Sequence, residues 1–296
     1  MDTQHLALLA ITFFAAIVNG ALGNGFSSIT VPLALLFLTN RVLNPALVPI
    51  EVALNAYVLW VNRESLPNVG RRSLPIIVGL LPGVVLGAAL LSEVNAGWLK
   101  FVTFITLLPL IFLQAAGYRR PLESERAAGL GFGFGVGVLY SATTISGPPL
   151  AVWLSNQGLT KRDFRAALGI IRLAESSFTA VAYAWYGYYS VESLGLVPYI
   201  VPSIAIGVPI GAALIQRIRP DTFRRVCMSF DAWIVAFGLS ILLKELRLVE
   251  SNLAFLVLLA VVVLDARLLY HFFSVQLPTV KRAEALARAQ SAAADS

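Results

Sequence analysis

Long stretches without a charged side chain constrain the fold of this chain more than any other feature. Residues 3–40 contain no Asp, Glu, Lys or Arg, and the same holds for residues 127–156. Further predominantly apolar runs occur at 43–62, 73–92, 98–117, 166–187, 193–216, 224–244 and 252–273. Because ~20 helical residues at ~1.5 Å each cross the ~30 Å hydrocarbon core of a bilayer, these runs are long enough to span a membrane. The pattern predicts an all-α polytopic membrane protein with about nine spanning helices plus broken or re-entrant segments.

The composition agrees with a chain whose solvent is the lipid bilayer, and it excludes several other classes of protein. Charged residues make up 13% of the chain, against ~25% in soluble proteins. The only cysteine, Cys227, excludes a disulfide framework, and the two histidines, His5 and His271, lie at opposite ends of the chain. We therefore expect no metal site and no cofactor. The net charge of +6 arises largely in the gaps between apolar runs, so nucleic acid is not an expected partner.

The positions of the basic residues predict the orientation of the chain. They cluster in four gaps and in the tail: Arg63, Arg71 and Arg72; Arg119, Arg120 and Arg126; Lys161, Arg162 and Arg165; Arg217, Arg219, Arg224 and Arg225; and Lys281, Arg282 and Arg288. Basic loops stay in the cytoplasm, which predicts a multi-pass protein of the cell (inner) membrane with its N-terminus outside and its C-terminus in the cytoplasm. Residues 127–156 must then form a hairpin or re-entrant pair, broken near Thr143–Pro149. No Lys or Arg precedes the apolar residues 6–22, so we expect a retained membrane segment rather than a signal peptide.

An internal repeat divides the chain into two similar halves. The sequence from Asn19 to Ala34 has a counterpart 117 residues later, and Gly83–Leu91 has a counterpart 124 residues later. The predicted units are a first membrane repeat at 1–117, a cytoplasmic linker at 118–126, a second membrane repeat at 127–244, an additional helix at 245–278 and a cytoplasmic tail at 279–296. The charge rule makes equivalent runs cross the membrane in opposite directions, so the repeats are predicted to be inverted. Inverted repeats around a midplane site are typical of secondary transporters.

Each half opens with a segment that is poorly suited to a continuous helix. The first is Gly20–Pro32 and the second is Tyr140–Pro149, and both combine Gly and Pro with hydroxyl side chains. A half-helix that begins at membrane depth directs free N–H groups and a positive dipole end into a cavity, which suits a small oxyanion. The predicted substrate-binding residues in the two segments are Asn24, Gly25, Ser27, Ser28, Thr143, Thr144, Ser146 and Gly147. The alternative is a pair of tightly packed kinks.

Glycines at small-xxx-small spacing predict close contacts between helices. They are Gly131, Gly133, Gly135 and Gly137, Gly79, Gly83 and Gly87, and Gly207 and Gly211. Glycine lets two membrane helices approach until their backbones touch. We interpret these positions as packing sites and not as a nucleotide-binding loop, because the required strand and spacing are missing.

Ionisable residues inside the apolar runs are candidates for function, because a charge at membrane depth is costly. Arg172 and Glu175 are three residues apart and are expected to pair on one helix face. Asn55 is the repeat counterpart of Arg172, so Asn55 and Arg172 are predicted to bind the substrate. Glu51, Glu175 and Asp231 are predicted to carry protons. The alternative for Arg172 is a structural Arg–Glu pair, and Asp265 and Arg267 on the additional helix are expected to pair with each other or to reach towards the interface.

These features resemble the TauE/SafE family of sulfite-exporter-like membrane permeases. The resemblance rests on the broken segments around Gly20–Leu33 and Gly137–Leu150 and on the duplicated helix pattern. At the first break, this chain has Phe26, Ser27 and Ser28 where members of the family often have further glycines. The resemblance implies export of a sulfur-containing anion, such as sulfite or an organosulfonate, coupled to the proton gradient. The implied partners are therefore a small anionic substrate and protons.

We accordingly predict a secondary transporter that works by alternating access and not an enzyme. No nucleophile motif is present and both histidines lie at the extremes of the chain. A passive anion channel and a permease for another small carboxylate or anion are the alternatives within transport. A membrane assembly factor without transport activity is an alternative outside it. The sequence leaves the oligomeric state open.

Overall fold

The computed structural model describes residues 3–22, 25–115, 125–155, 157, 159–215 and 220–279. Within these residues the chain is helical and contains no strand. The helices are α1 (Thr3–Leu22), α2 (Phe26–Ala34), α3 (Asn40–Val61), α4 (Leu66–Glu93), α5 (Ala96–Ala115), α6 (Glu125–Thr143), α7 (Gly147–Ser155), α8 (Lys161–Trp185), α9 (Val191–Leu194), α10 (Val197–Leu214), α11 (Pro220–Glu245) and α12 (Leu256–His271). The predicted linker and tail lie almost wholly outside the described residues.

Seven segments among the described residues are long and apolar enough to cross a membrane. They are built on α1, α3, α4, α5, α10, α11 and α12. The predicted class, an all-α membrane protein, is confirmed, whereas the number of about nine spans stays a prediction. Helix α8 is 25 residues long, enough to cross, but Arg172, Glu175 and its hydroxyl side chains make it less apolar than the other seven.

Both predicted breaks are present as left-handed turns between helices. Helix α2 begins after Gly25, which has a φ of 103°, and the end of α6 is followed by Thr144 at 58°. Few residues other than glycine adopt this region, and a β-branched residue there is strained. The hydroxyl of Thr144 donates to the carbonyl oxygen of Thr143 at 2.7 Å and lies 3.4 Å from Oδ1 of Asn44. Two half-helices of nine residues each, α2 and α7, therefore follow the breaks.

Glycine contacts join α4 to α6 and α1 to α10 in the same way. In each pair the glycine faces meet, and an added Cβ atom would overlap a backbone carbonyl oxygen of the partner helix. The pairs are Gly79 with Leu130, Gly83 with Phe134, Gly87 with Val138, Gly133 with Ile76, Gly137 with Leu80, Gly20 with Val208 and Gly211 with Ile17. The predicted packing role does not hold for Gly131 and Gly135, because nothing lies within 4 Å of a Cβ atom built there.

Equivalent helices of the two halves run antiparallel where they touch. Later residues of α3 contact earlier residues of α8, and the same holds for α5 and α11. The contacting pairs are Glu51 with Arg172 and Leu59 with Gly169 in α3 and α8, and Phe104 with Gly238 in α5 and α11, with Gly97 of α5 against Leu246 just after α11. Antiparallel contacts between counterparts are what an inverted repeat requires, and the inverted repeat itself stays a prediction.

Helix α12 is fastened to α11 by a buried ion pair. Nη2 of Arg225 donates to Oδ1 of Asp265 at 2.7 Å, and Ser229 lies 3.2 Å from both side chains. The expectation that Asp265 pairs with Arg267 on its own helix is wrong. Arg267 is exposed, because it lies on the opposite side of α12 from α11.

Candidate functional site

A buried cation, Arg172, lies between the two broken helices. Its Nη2 donates to Oε1 of Glu51 on α3 at 3.1 Å, and it lies 3.5 Å from the hydroxyl oxygen of Ser27 at the start of α2. Ser27 also donates to the same carboxylate oxygen. Tyr140 on α6, in the second broken segment, donates to Oε2 of Glu51 at 2.6 Å. Glu51 therefore connects α2, α3, α6 and α8, and both of its oxygens are satisfied.

The sequence predicts a pair between Arg172 and Glu175, but the structure does not contain it. Glu175 instead accepts a hydrogen bond of 2.6 Å from the hydroxyl of Ser146, just before α7. Its other oxygen, Oε1, and Nε of Arg172 are buried and have no partner among the described residues. The site thus retains one unsatisfied donor and one unsatisfied acceptor, which is unusual for buried polar atoms and leaves both available to a ligand.

Two of the predicted hydroxyl donors hold the backbone of the second break in place. Thr143 donates to the carbonyl of Leu139 at 2.6 Å and accepts from the N–H of Ile145 at 3.2 Å. Asn44 donates to the carbonyl of Ala142 at 2.8 Å and lies beside Thr144. These bonds occupy the hydroxyls of Thr143 and Thr144, so the predicted role of both as substrate donors remains a proposal that would require local rearrangement.

The two breaks meet at a small cavity on the other side of α2. It has a volume of about 40 Å³ and its lining includes Gly25, Ser28, Gly147 and Asp231. The hydroxyl of Ser28 faces Gly147. Asp231 on α11 is 8% exposed, and its Oδ1 has no hydrogen-bond partner among the described residues. An acidic side chain therefore borders the place where the two half-helices begin.

The two half-helices offer different numbers of free N–H groups. In α2, the residues of the first turn, from Phe26 to Ser28, each carry an N–H. In α7, Gly147 is followed by Pro148 and Pro149, which have no N–H to donate. The first turn of α2 is therefore the stronger anion-facing end.

The sequence matches the family model described as Sulfite exporter TauE/SafE over residues 8–239. The chain belongs to this family. The TauE/SafE proteins are membrane transporters rather than enzymes, and a sulfite exporter implies a small anionic substrate. No curated protein and no solved structure matches the chain. The matched region contains both breaks and every predicted site residue, and it ends before α12.

Other residues that the sequence analysis missed also belong to this TauE/SafE site. Tyr140 and Asn44 were not singled out, although both are polar and lie within apolar stretches, which is the signal that could have identified them. Asn55 does contact its repeat counterpart Arg172, but its Nδ2 lies 3.4 Å from the backbone carbonyl and not beside the guanidinium. Asn24 lies outside the described residues.

A larger cavity extends from one predicted cytoplasmic end towards the last turns of α1. It has a volume of about 470 Å³ and lies between α1, α3 and α10. Its lining includes Arg165 and Asn62, which border the predicted cytoplasmic gaps, and Asn19, which directly precedes the first broken segment. A small oxyanion and a short organosulfonate both fit a space of this size.

Proposed function

We propose that this TauE/SafE protein is a secondary transporter that exports a small sulfur-containing oxyanion, sulfite or an organosulfonate, together with protons by alternating access. The observation that carries the proposal is Arg172, a cation buried between two broken helices whose Nε has no partner among the described residues. Buried Arg is the side chain best suited to a planar fork of oxygen atoms. The direction, outward, is taken from the family.

The first turn of α2 supplies the rest of the proposed anion site. Its N–H groups and the positive end of its dipole face the region where Ser27 contacts Arg172. An anion there would accept hydrogen bonds from backbone N–H groups on one side and from the Arg172 guanidinium on the other. The cavity that reaches Asn19 from Arg165 is the proposed route from the cytoplasm.

The proposed proton coupling follows from the partner of Arg172. Arg172 cannot give its full charge to an anion while Glu51 is ionised, since the carboxylate already neutralises it at 3.1 Å. A proton on Glu51 removes that competition, so proton and anion occupy the site together. Glu175 and Asp231 are further candidates for proton carriers, because both have an unpaired buried oxygen.

Alternating access has a natural mechanical basis in the glycine contacts. Helix α1 is joined to α10 of the other half, and α6 is joined to α4, so each break is attached to a rigid pair made from both halves. The proposed motion moves one pair against the other and exposes the breaks to each side in turn.

The direct test is sulfite flux from proteoliposomes that contain the purified protein. We expect saturable efflux that accelerates when a pH gradient is imposed, because protons bind together with the anion. Arg172→Gln should abolish the flux, while Arg162→Gln, at an exposed position, should leave it unchanged. Flux that neither saturates nor responds to pH would indicate a passive channel. Flux of carboxylates but not of sulfite would indicate another substrate, and no flux of any anion would indicate an assembly factor.

A further inference from the structure

We propose that Asp231 is a built-in anion that occupies the substrate end of the half-helices and must be neutralised by a proton before the transported anion can bind there. This inference rests on the proposed function and specifies how the same site is regulated. The small cavity at the meeting point of α2 and α7 contains Asp231 and lies at the N-terminal turns of both half-helices. The N-terminal end of a helix attracts any negative charge, whether it comes from a ligand or from the protein itself.

No cationic side chain of the described cavity wall is available to pair with Asp231. The other described residues of the cavity wall are apolar, Gly or Ser, apart from Cys227 on the same helix. No Lys, Arg or His contributes to the wall from α1, α2, α5 or α7. Arg225, the nearest described cation on α11, is already paired with Asp265 of α12. The partial positive charge of the half-helices is therefore the main electrostatic partner available to Asp231.

The size of the cavity shows why Asp231 and a substrate exclude each other. A volume of about 40 Å³ leaves room for only a few water molecules, since one water needs ~10–15 Å³ of such space. An oxyanion in so small a cavity would face an ionised Asp231 at close range. Two like charges in one poorly solvated cavity repel strongly, so proton uptake by Asp231 and anion binding should favour each other.

Glu51 and Asp231 lie on different sides of the first turn of α2. Ser27 faces Glu51 and Arg172, whereas the neighbouring Ser28 faces the cavity of Asp231. Protonation of Glu51 releases a cation for the substrate, while protonation of Asp231 removes a competing anion. The two carboxylates therefore act on one anion site in different ways, and their effects can be separated by mutation.

The test compares sulfite affinity of the wild-type protein and of Asp231→Asn, measured by calorimetry on purified full-length protein over a range of pH. Sulfite itself takes up a proton near neutral pH, so the informative quantity is the ratio of the two dissociation constants at each pH. Asp231→Asn should bind sulfite at least about tenfold more tightly than the wild type at high pH, where repulsion is present. The ratio should approach one as the pH falls. Glu64→Gln, which removes a carboxylate on a side chain that is 81% exposed, should not differ from the wild type at any pH.

Three outcomes separate this inference from the proposed function. A ratio that does not change with pH, or weaker binding by Asp231→Asn at every pH, would overturn the inference alone. Failure of both proteins to bind sulfite or any sulfonate would overturn the proposed function and the inference with it. If Asp231→Asn does not fold, Asp231→Ser also lacks the carboxylate and should show the same pH-dependent ratio, whereas Asp231→Glu keeps the charge and should resemble the wild type.

Discussion

Arg172 is tolerated inside the protein because residues of several helices compensate for its burial. Glu51 supplies the opposite charge, and Ser27 and Tyr140 satisfy the remaining lone pairs of that carboxylate. An ion pair removed from water gains stability only when its hydrogen bonds are complete. Both members were visible in the sequence as lone charges in apolar runs. Their pairing was not, because it depends on how α3 and α8 are rotated against each other, and the local spacing favoured Glu175 instead.

Removal of one member of this pair should cost more stability than removal of both. We expect Arg172→Gln to lower the free energy of unfolding by about 3–5 kcal/mol, because Glu51 is left as an uncompensated buried charge. The double variant Glu51→Gln with Arg172→Gln should recover most of that loss. Thermal unfolding in detergent measures both effects. The exposed pair of Arg162 and Glu64, at 3.8 Å, is the matched control, and its variants should change stability by less than about 1 kcal/mol. Equal losses in the single and double variants at Arg172 would contradict this account.

Tyr140 offers a second test at the same scale. Its hydroxyl donates to Glu51 at 2.6 Å, and Tyr140→Phe removes that donor without changing the shape of the core. The expected loss is about 1–3 kcal/mol, since a buried carboxylate oxygen loses a partner. Tyr270→Phe is the control, because Tyr270 is 76% exposed and its variant should unfold at the wild-type temperature. Identical unfolding of Tyr140→Phe and the wild type would show that the bond does not stabilise the fold.

At the scale of elements, glycine decides which helices pack and where helices break. The spacing of glycines predicted close packing, and the structure adds the partners, α4 with α6 and α1 with α10. The spacing could not distinguish the contacting Gly133 and Gly137 from Gly131 and Gly135, since all four share the small-xxx-small pattern and only the rotation of α6 separates them. Both breaks were predictable because Gly and Pro interrupt helices wherever they fall. The loss of donors at α7 was also readable from Pro148 and Pro149.

Alanine at a contacting glycine should push two helices apart. Gly83→Ala places a Cβ atom onto the carbonyl oxygen of Phe134, and overpacking of this kind costs about 1–3 kcal/mol. The expected result is a lower unfolding temperature and weaker transport, because the α4–α6 pair is no longer rigid. Gly135→Ala is the control on the facing helix, where a Cβ atom meets nothing within 4 Å. It should be neutral or slightly stabilising, because alanine favours a helix over glycine by about 1 kcal/mol. A larger loss at Gly135 than at Gly83 would contradict the packing described for α4 and α6.

For the whole molecule, the arrangement of charges and contacts points to two halves in opposite orientation. The charge rule and the antiparallel contacts of α3 with α8 are independent observations, since one concerns loops and the other concerns side chains in the core. The sequence predicts the duplicated pattern and the side of the membrane on which each gap lies. It could not predict that Ser27 faces Glu51 and Arg172 while Ser28 lines the small cavity beside Asp231, because that depends on the depth and tilt of α2 and α7.

Cysteine labelling tests this orientation directly. Cys227 is buried, and its replacement by Ser gives a background without other thiols. In that background, Asn68→Cys at the start of α4 should react only with a reagent that reaches the cytoplasm. Val191→Cys, at a side chain that is 91% exposed, should react with an impermeant reagent from outside. The opposite result would overturn both the inverted repeat and the predicted location of the termini.

The glycine contacts also bear on how the protein is made. Helix α6 is synthesised shortly after α4, so this pair can form as soon as α6 enters the bilayer. The glycine face of α1 has no partner until α10 has been synthesised. At a synthesis rate of ~5–20 residues per second, that takes roughly 10–40 s. Until then Gly20 has no Val208 to pack against, and lipid or the insertion machinery must cover that face. Closure of α1 onto α10 is thus expected to be a late event in assembly, and it is the event that completes the first break.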